Sequence, residues 1–232
     1  MASPPALARG LALLALACLT GPAAASTPLF LPERQAFPGD DGASAATLDQ
    51  PLSELLDAWR ARTGRRTFRR RIVVHKARRR LDLYADESIV KSYLVELGPS
   101  PVGDKQRQGD MRTPEGDLFV CAKNRASRFT RFLGLAYPTP AAAAAGVAAG
   151  RVSRAVERQV LAAHAARDRC PPQATALGGA VGIHGSAAWE RRPGGFALQD
   201  WTWGCLALRD RDVLELFGGY AEVGLPVRIE AE

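Results

Sequence analysis

Two residues in this chain carry types and spacing suited to covalent chemistry. Cys205 stands in the stretch Thr202-Trp203-Gly204-Cys205, and His184 lies 21 residues upstream, in Val181-Gly182-Ile183-His184-Gly185. A thiol becomes a strong nucleophile only as its thiolate, so an imidazole or a positive field must favour ionisation. A glycine just before the cysteine lets backbone N–H groups turn toward the sulfur, which is what stabilising an oxyanion requires. Together these residues suit nucleophilic catalysis by a thiolate, with the imidazole as its base. Spacing alone favours a buried structural cysteine, since a lone Cys and a lone His pair by chance in many sequences.

The other candidates offer less. His75 sits beside Lys76 without a partner signal, and His164 falls in an alanine-rich helical stretch, so both read as structural or surface residues. Four cysteines are present. With Cys18 assigned to a leader, Cys121, Cys170 and Cys205 remain, an odd number that permits at most one disulfide and leaves one thiol over. There is no CxxC pair and no Cys/His grouping with zinc spacing.

The elements that must position the pair follow from periodicity. Arg9, the apolar run Leu11–Leu19 and the small residues Ala23-Ala24-Ala25 read as a signal peptide over 1–25. Lipidation at Cys18 is a variant that the preceding residues fit poorly. The destination is the periplasm or the extracellular cell wall, and no transmembrane segment is expected. Residues 26–70 read as a flexible lead-in containing a short helix, Leu52–Arg62, with Leu52, Leu55, Leu56 and Trp59 at helical spacing. From Arg60 to Arg80 the chain is basic without a single acid, within a formal charge of +7. Such a run draws polyanions or is simply a solvated linker and hairpin tip; for an exported protein anionic wall polymers come before nucleic acid.

From residue 71 onward the pattern is mainly β. Strands are expected at Ile72–Val74, Leu81–Tyr84, Ile89–Leu97, Leu118–Ala122, Ala180–His184, Trp201–Leu208 and Val227–Ile229. A helical insertion, about 141–172, interrupts them, with a Val152, Val156, Val160, Leu161 stripe and Pro171-Pro172 as its stop. It could cap the site or pack on a sheet edge. Arg211–Phe217 reads as a short helix.

Two ordered blocks resemble the L,D-transpeptidase (YkuD-type) family. One is Gly98-x-x-Pro101-Val102-Gly103-Asp104-Lys105 with Gly109-Asp110-x-x-Thr113-Pro114-Glu115-Gly116; the other is Ile183-His184-Gly185 with Thr202-x-Gly204-Cys205. Tyr137-Pro138 and Asp200-Trp201-Thr202 match one subgroup, and the similarity runs from about Ile72 to Ile229. The resemblance implies a YkuD-like β-sandwich or barrel with no cofactor. It implies that Cys205 attacks a peptidoglycan stem peptide, that His184 moves the proton, and that the Gly185 carbonyl orients the imidazole. Backbone N–H groups around Trp203, Gly204 and Cys205 would hold the oxyanion, and Tyr137, Arg112 and Thr202 would contact substrate. Lys105, Asp110, Arg112, Thr113 and Glu115 either line the approach to the site or, the favoured reading for most of them, are solvated neighbours of turns. Cys121 and Cys170 could join the helical insertion to the sheet. Trp203 replaces the family's common His, and Ala207 its common Arg. Both changes resemble a subgroup that includes a hydrolase, so the acceptor is an amine or water. A non-catalytic wall-binding protein is the reading from another class.

Overall fold

The computed structural model describes residues 49–186 and 198–232, all within the unit Arg34–Glu232. The expected signal peptide, Cys18 and most of the lead-in lie outside these residues. Helix α1 (Leu52–Thr63) buries Leu52, Leu56 and Trp59 along one face and stops at Gly64, whose φ of 69° is left-handed. Those three side chains belong to the main hydrophobic core, so α1 is part of the domain rather than of a lead-in.

Eight strands follow: β1 (Arg70–His75), β2 (Arg80–Ala85), β3 (Ser88–Leu94), β4 (Gly116–Asn124), β5 (Phe132–Leu135), β6 (Gly182–Gly185), β7 (Leu206–Leu208) and β8 (Pro226–Glu230). They form one sheet in the order β3-β2-β1-β8-β4-β5-β6-β7. The pairs β1–β8 and β6–β7 are parallel and the rest antiparallel. The sheet nearly closes on itself. Just after β3, Glu96 exchanges two backbone hydrogen bonds of 2.9 Å with Ala207 of β7, joining the two edges. Inward side chains such as Ile72, Val74, Leu81, Leu83, Val120, Leu133 and Ile183 fill the core between sheet and helices. This is the mainly β, YkuD-like architecture the sequence leads one to expect.

Three differences have physical causes. β5 has no counterpart among the expected strands, because four residues containing a glycine show no usable alternation. The expected strand Trp201–Leu208 shrinks to Leu206–Leu208, because Gly204 has φ +110° and the Thr202 hydroxyl folds back onto the Cys205 carbonyl (2.7 Å). The basic run is not uniformly solvated. Lys76 is 2% exposed and ion-paired to Glu115 at 2.7 Å, Arg79 pairs with Asp200, and Arg80 is buried beside Asp82. Arg62, Arg66 and Arg78 remain exposed.

The helical insertion is α2 (Pro140–Ala148) and α3 (Arg154–Ala166), N-capped by the hydroxyls of Thr139 and Ser153. Val160 and Ala163 bury its face, whereas Leu161, expected in the stripe, is 48% exposed. A disulfide joins Cys121 of β4 to Cys170. Helix α4 (Asp210–Gly219) buries Asp212, Val213, Leu216 and Phe217 at helical spacing. Among the described residues no helix is long and apolar enough to cross a membrane.

Candidate active site

The parallel pairing of β6 with β7 sets His184 opposite Ala207. Cys205 comes immediately before β7, at the end of the turn made by Gly204. Both Cys205 and His184 line one cleft of about 980 Å³. A separate groove of about 480 Å³, lined by Arg71, His164 and Arg228 among others, shares no lining residue with it.

His184 is 2% exposed, and its Nδ1 lies 2.8 Å from the Gly185 carbonyl oxygen. A carbonyl only accepts, so Nδ1 carries the hydrogen and Nε2 is the basic nitrogen of the neutral ring. Burial lowers the His184 pKa below its ordinary value and Arg128 adds to this, while the Gly185 bond and Asp210 oppose it. The imidazole stacks on Phe129 (4.5 Å between centroids) and meets the edge of Trp201 (5.8 Å). Gly185 admits no side chain: a Cβ there would stand 2.3 Å from Asp210 Oδ1.

Cys205 is the only free cysteine among the described residues and is half-buried. Burial pushes its thiol up to about 11, opposed by a hydrogen bond from the Gly182 backbone and by the charge of Lys105. The thiol donates weakly to the Ala180 carbonyl at 3.5 Å. The turn before it is anchored from several sides. The Thr202 N–H donates to Leu97 O, Asp200 accepts from the Leu97 N–H and from Arg79, and buried Glu96 accepts from Trp201 Nε1 and the Gln199 N–H. Gly204 supplies room rather than a donor: a Cβ there would stand 2.4 Å from Arg112 O, and its N–H points at the Thr202 hydroxyl (3.3 Å).

Of the expected substrate contacts, Thr202 lines the cleft, although its hydroxyl is engaged within the turn. Tyr137 does not line it. That side chain is fully buried, and its hydroxyl donates to the carbonyls of Lys105 and Leu177, so it acts from beneath. Arg112 is also absent from the lining; its carbonyl abuts Gly204. Trp203 is 79% exposed at the cleft. The helices α2 and α3 leave the cleft to the strip that follows them, with Gln173–Ala176 and Gly178–Ala180 on its wall. Lys105, expected to be solvated, is 3% exposed, paired to Asp110 at 2.8 Å and part of the lining. Arg128 and Phe129 belong to the site too, and nothing local in the sequence marks them.

The other histidines are structural, as expected. His164 bonds the Pro138 carbonyl, and His75 lies between Asp82 and Glu230. Among the described residues no group of His, Cys, Asp or Glu is arranged to hold a metal ion.

A strand-borne histidine whose Nδ1 is held by the next carbonyl, and a cysteine that follows a glycine turn just before the neighbouring strand, thus line one cleft. The L,D-transpeptidase catalytic domain family, YkuD, matches residues 69–229, and the chain belongs to it. Among curated proteins none matches. Solved structures similar to it include Bd1075 of Bdellovibrio bacteriovorus, with 17% identity and a TM-score of 0.44, covering 72% of this chain and 49% of that one. The helical cell shape determining protein Pgp2 of Campylobacter jejuni gives 19% and 0.46, with 72% and 49% covered. An L,D-transpeptidase of Xylanimonas cellulosilytica gives 12% and 0.39, with 75% and 69% covered. The match thus spans about half the length of the first and second of these.

Proposed function

We propose that this protein is an exported cysteine acyltransferase acting on peptidoglycan stem peptides, with residues 1–25 as its export signal. The observation that carries the reading is the His184–Gly185 hydrogen bond, on a strand paired in register with the one that begins just after Cys205. It leaves Nε2 free to take the thiol proton. The cleft also contains Lys105 and Arg128 and, among the described residues, no Asp or Glu in its lining, which suits a donor peptide bearing carboxylates.

In this reading His184 Nε2 accepts the Cys205 proton, and the thiolate attacks the carbonyl carbon that joins an L-centre to a terminal D-amino acid. The N–H groups of Trp203 and Cys205 hold the oxyanion, since that of Gly204 is used by Thr202. The C–N bond breaks, and the imidazolium returns its proton to the leaving amine. An amine then attacks the thioester, His184 takes its proton, and the thiol is restored. A second reading replaces that amine by water. Trp203 and Ala207 favour it, because both depart from the family's common pattern toward a hydrolytic subgroup.

Incubation with a stem tetrapeptide, followed by intact mass, tests the thioester. An adduct that is lost in Cys205→Ala and formed far more slowly in His184→Ala is the expected result. Unchanged adduct formation in both variants overturns the reading. Product analysis on wall fragments separates the acceptors: new cross-links or amine adducts mean transfer, and lost links mean hydrolysis. Salt-sensitive binding to sacculi without any adduct, unaffected by Cys205→Ala, would instead mark a wall-binding protein carried by its exposed arginines.

A further inference from the structure

Lys105 takes no part in the proton transfers above, yet its surroundings are built around it. Its side chain passes two glycines in the left-handed region. A Cβ at Gly178 (φ +90°) would stand 3.3 Å from Lys105 Cε, and one at Gly204 (φ +110°) would stand 3.7 Å from Nζ. The first distance is tight and the second is ordinary contact, which sets the ammonium beside the residue that precedes Cys205. From the other side, the Tyr137 hydroxyl donates to the Lys105 carbonyl at 3.2 Å, and the Tyr137 ring lies 5.9 Å from Nζ.

The charge is fixed as well as the chain. Nζ donates to Asp110 Oδ1 at 2.8 Å and to Arg107 O at 3.2 Å. Asp110 in turn accepts from the N–H groups of Gln106, Arg107 and Arg112. Burial raises the Asp110 pKa, but these bonds outweigh it and hold the carboxyl below its ordinary value, so the partner stays ionised. The multiply bonded carboxylate holds the end of the Lys105 side chain in place.

The nucleophile needs such a charge. Its burial favours the neutral thiol, and the family's common cationic position is here Ala207, fully buried in the sheet. The other charges acting on the pair, Arg128 and Asp210, act on His184. We propose that Lys105 is an electrostatic positioning residue: its ammonium, anchored by Asp110 and threaded past Gly178 and Gly204, favours the thiolate of Cys205. Lys105 exchanges no proton. The proton still passes from Sγ to His184 Nε2, and Lys105 stabilises the negative sulfur left behind. The catalytic meaning of this rests on the acyl-transfer reading, but the effect on the thiol does not.

The test is therefore alkylation, which needs no wall substrate. The full chain, disulfide intact, is treated with iodoacetamide from neutral to strongly alkaline pH, and the peptide carrying Cys205 is followed by mass. An opposite charge at a few ångströms moves a pKa by about 1–3 units. Lys105→Met should raise the midpoint of the rate profile by about one unit and slow the reaction at neutral pH about tenfold. Lys105→Arg should restore most of both. Should Lys105→Met not fold, Lys105→Gln, one atom shorter but a neutral hydrogen-bond donor, carries the same expectation. A packing role alone would change the plateau rate and leave the midpoint in place, and an unmoved midpoint in the folded neutral variant overturns the proposal. A shifted midpoint without any acyl adduct on stem peptides would instead retain Lys105 and overturn the acyl-transfer reading.

Discussion

Trp201 Nε1 donates to Glu96 Oε2 at 2.7 Å, tying the ring that edges His184 to the segment closing the barrel. The other Glu96 oxygen accepts from the Gln199 N–H at 2.8 Å. Glu96→Gln keeps one acceptor and turns an amide NH₂ toward a donor. Hydrogen bonds to a charged group contribute about 1.5–3 kcal/mol, so the variant should lose stability of that order in urea denaturation. Acylation of Cys205 should slow as well, because Trp201 no longer fixes the imidazole.

The turn before the nucleophile gives a second prediction. Gly204→Ala places a methyl against Arg112 O in a backbone region that costs roughly 1–3 kcal/mol for a side chain. A drop in Tm and loss of the acyl adduct are expected together. A variant of unchanged Tm and full adduct yield would show that the turn is not held as described.

The acid limb of acylation follows from His184. Its pKa lies below 6.5, burial being the largest cause, so the imidazole is a neutral base at pH 6.5 and above. The acylation rate should fall only as pH drops below 6.5. Arg128→Gln removes a cation that disfavours the imidazolium, so the limb should move to higher pH. The same depression links to stability. The unfolded chain takes up the proton first, so His184's contribution is complete above 6.5 and is lost as pH falls from there through the folded value. Stopped-time mass measurements and denaturation midpoints across this window check both.

Removing the Cys121–Cys170 bond by paired alanine substitution should cost about 2–4 kcal/mol in denaturation experiments. Peptide mapping without reduction should recover the two cysteines linked and Cys205 free. The strip from Gln173 to Ala180 follows this tether and walls the cleft, so acylation should weaken along with stability.

The parts of this architecture legible in sequence are those written locally. Strands such as Ile72–Val74 and helix α4 announce themselves by alternation and period, and Cys205 with His184 by their glycine-flanked settings. What depends on long-range closure is not written locally. Phe129, which stacks on His184, sits in an arginine-rich loop, and Glu96 gains its meaning only when residues 103 and 105 positions later in the chain return to it. Lys105 was visible in its block, but a lysine among turn residues reads as solvated. Its burial comes from Tyr137, Gly178 and Gly204, which lie far apart in sequence. Tyr137 shows the reverse error, since a motif tyrosine suggests a contact and the packed fold places it underneath.

The seam between Glu96 and Ala207 has a consequence of its own. Two backbone hydrogen bonds close the barrel there, and Ala207 is the register partner of His184. Hydrogen exchange reports local opening, and regions with few such bonds open at lower free energy than the core. The Glu96 and Ala207 amides should therefore exchange faster than those in the middle of β1 and β8. An acylated Cys205 should slow them, making the joint of the barrel a gauge of occupancy that can be read without following any product.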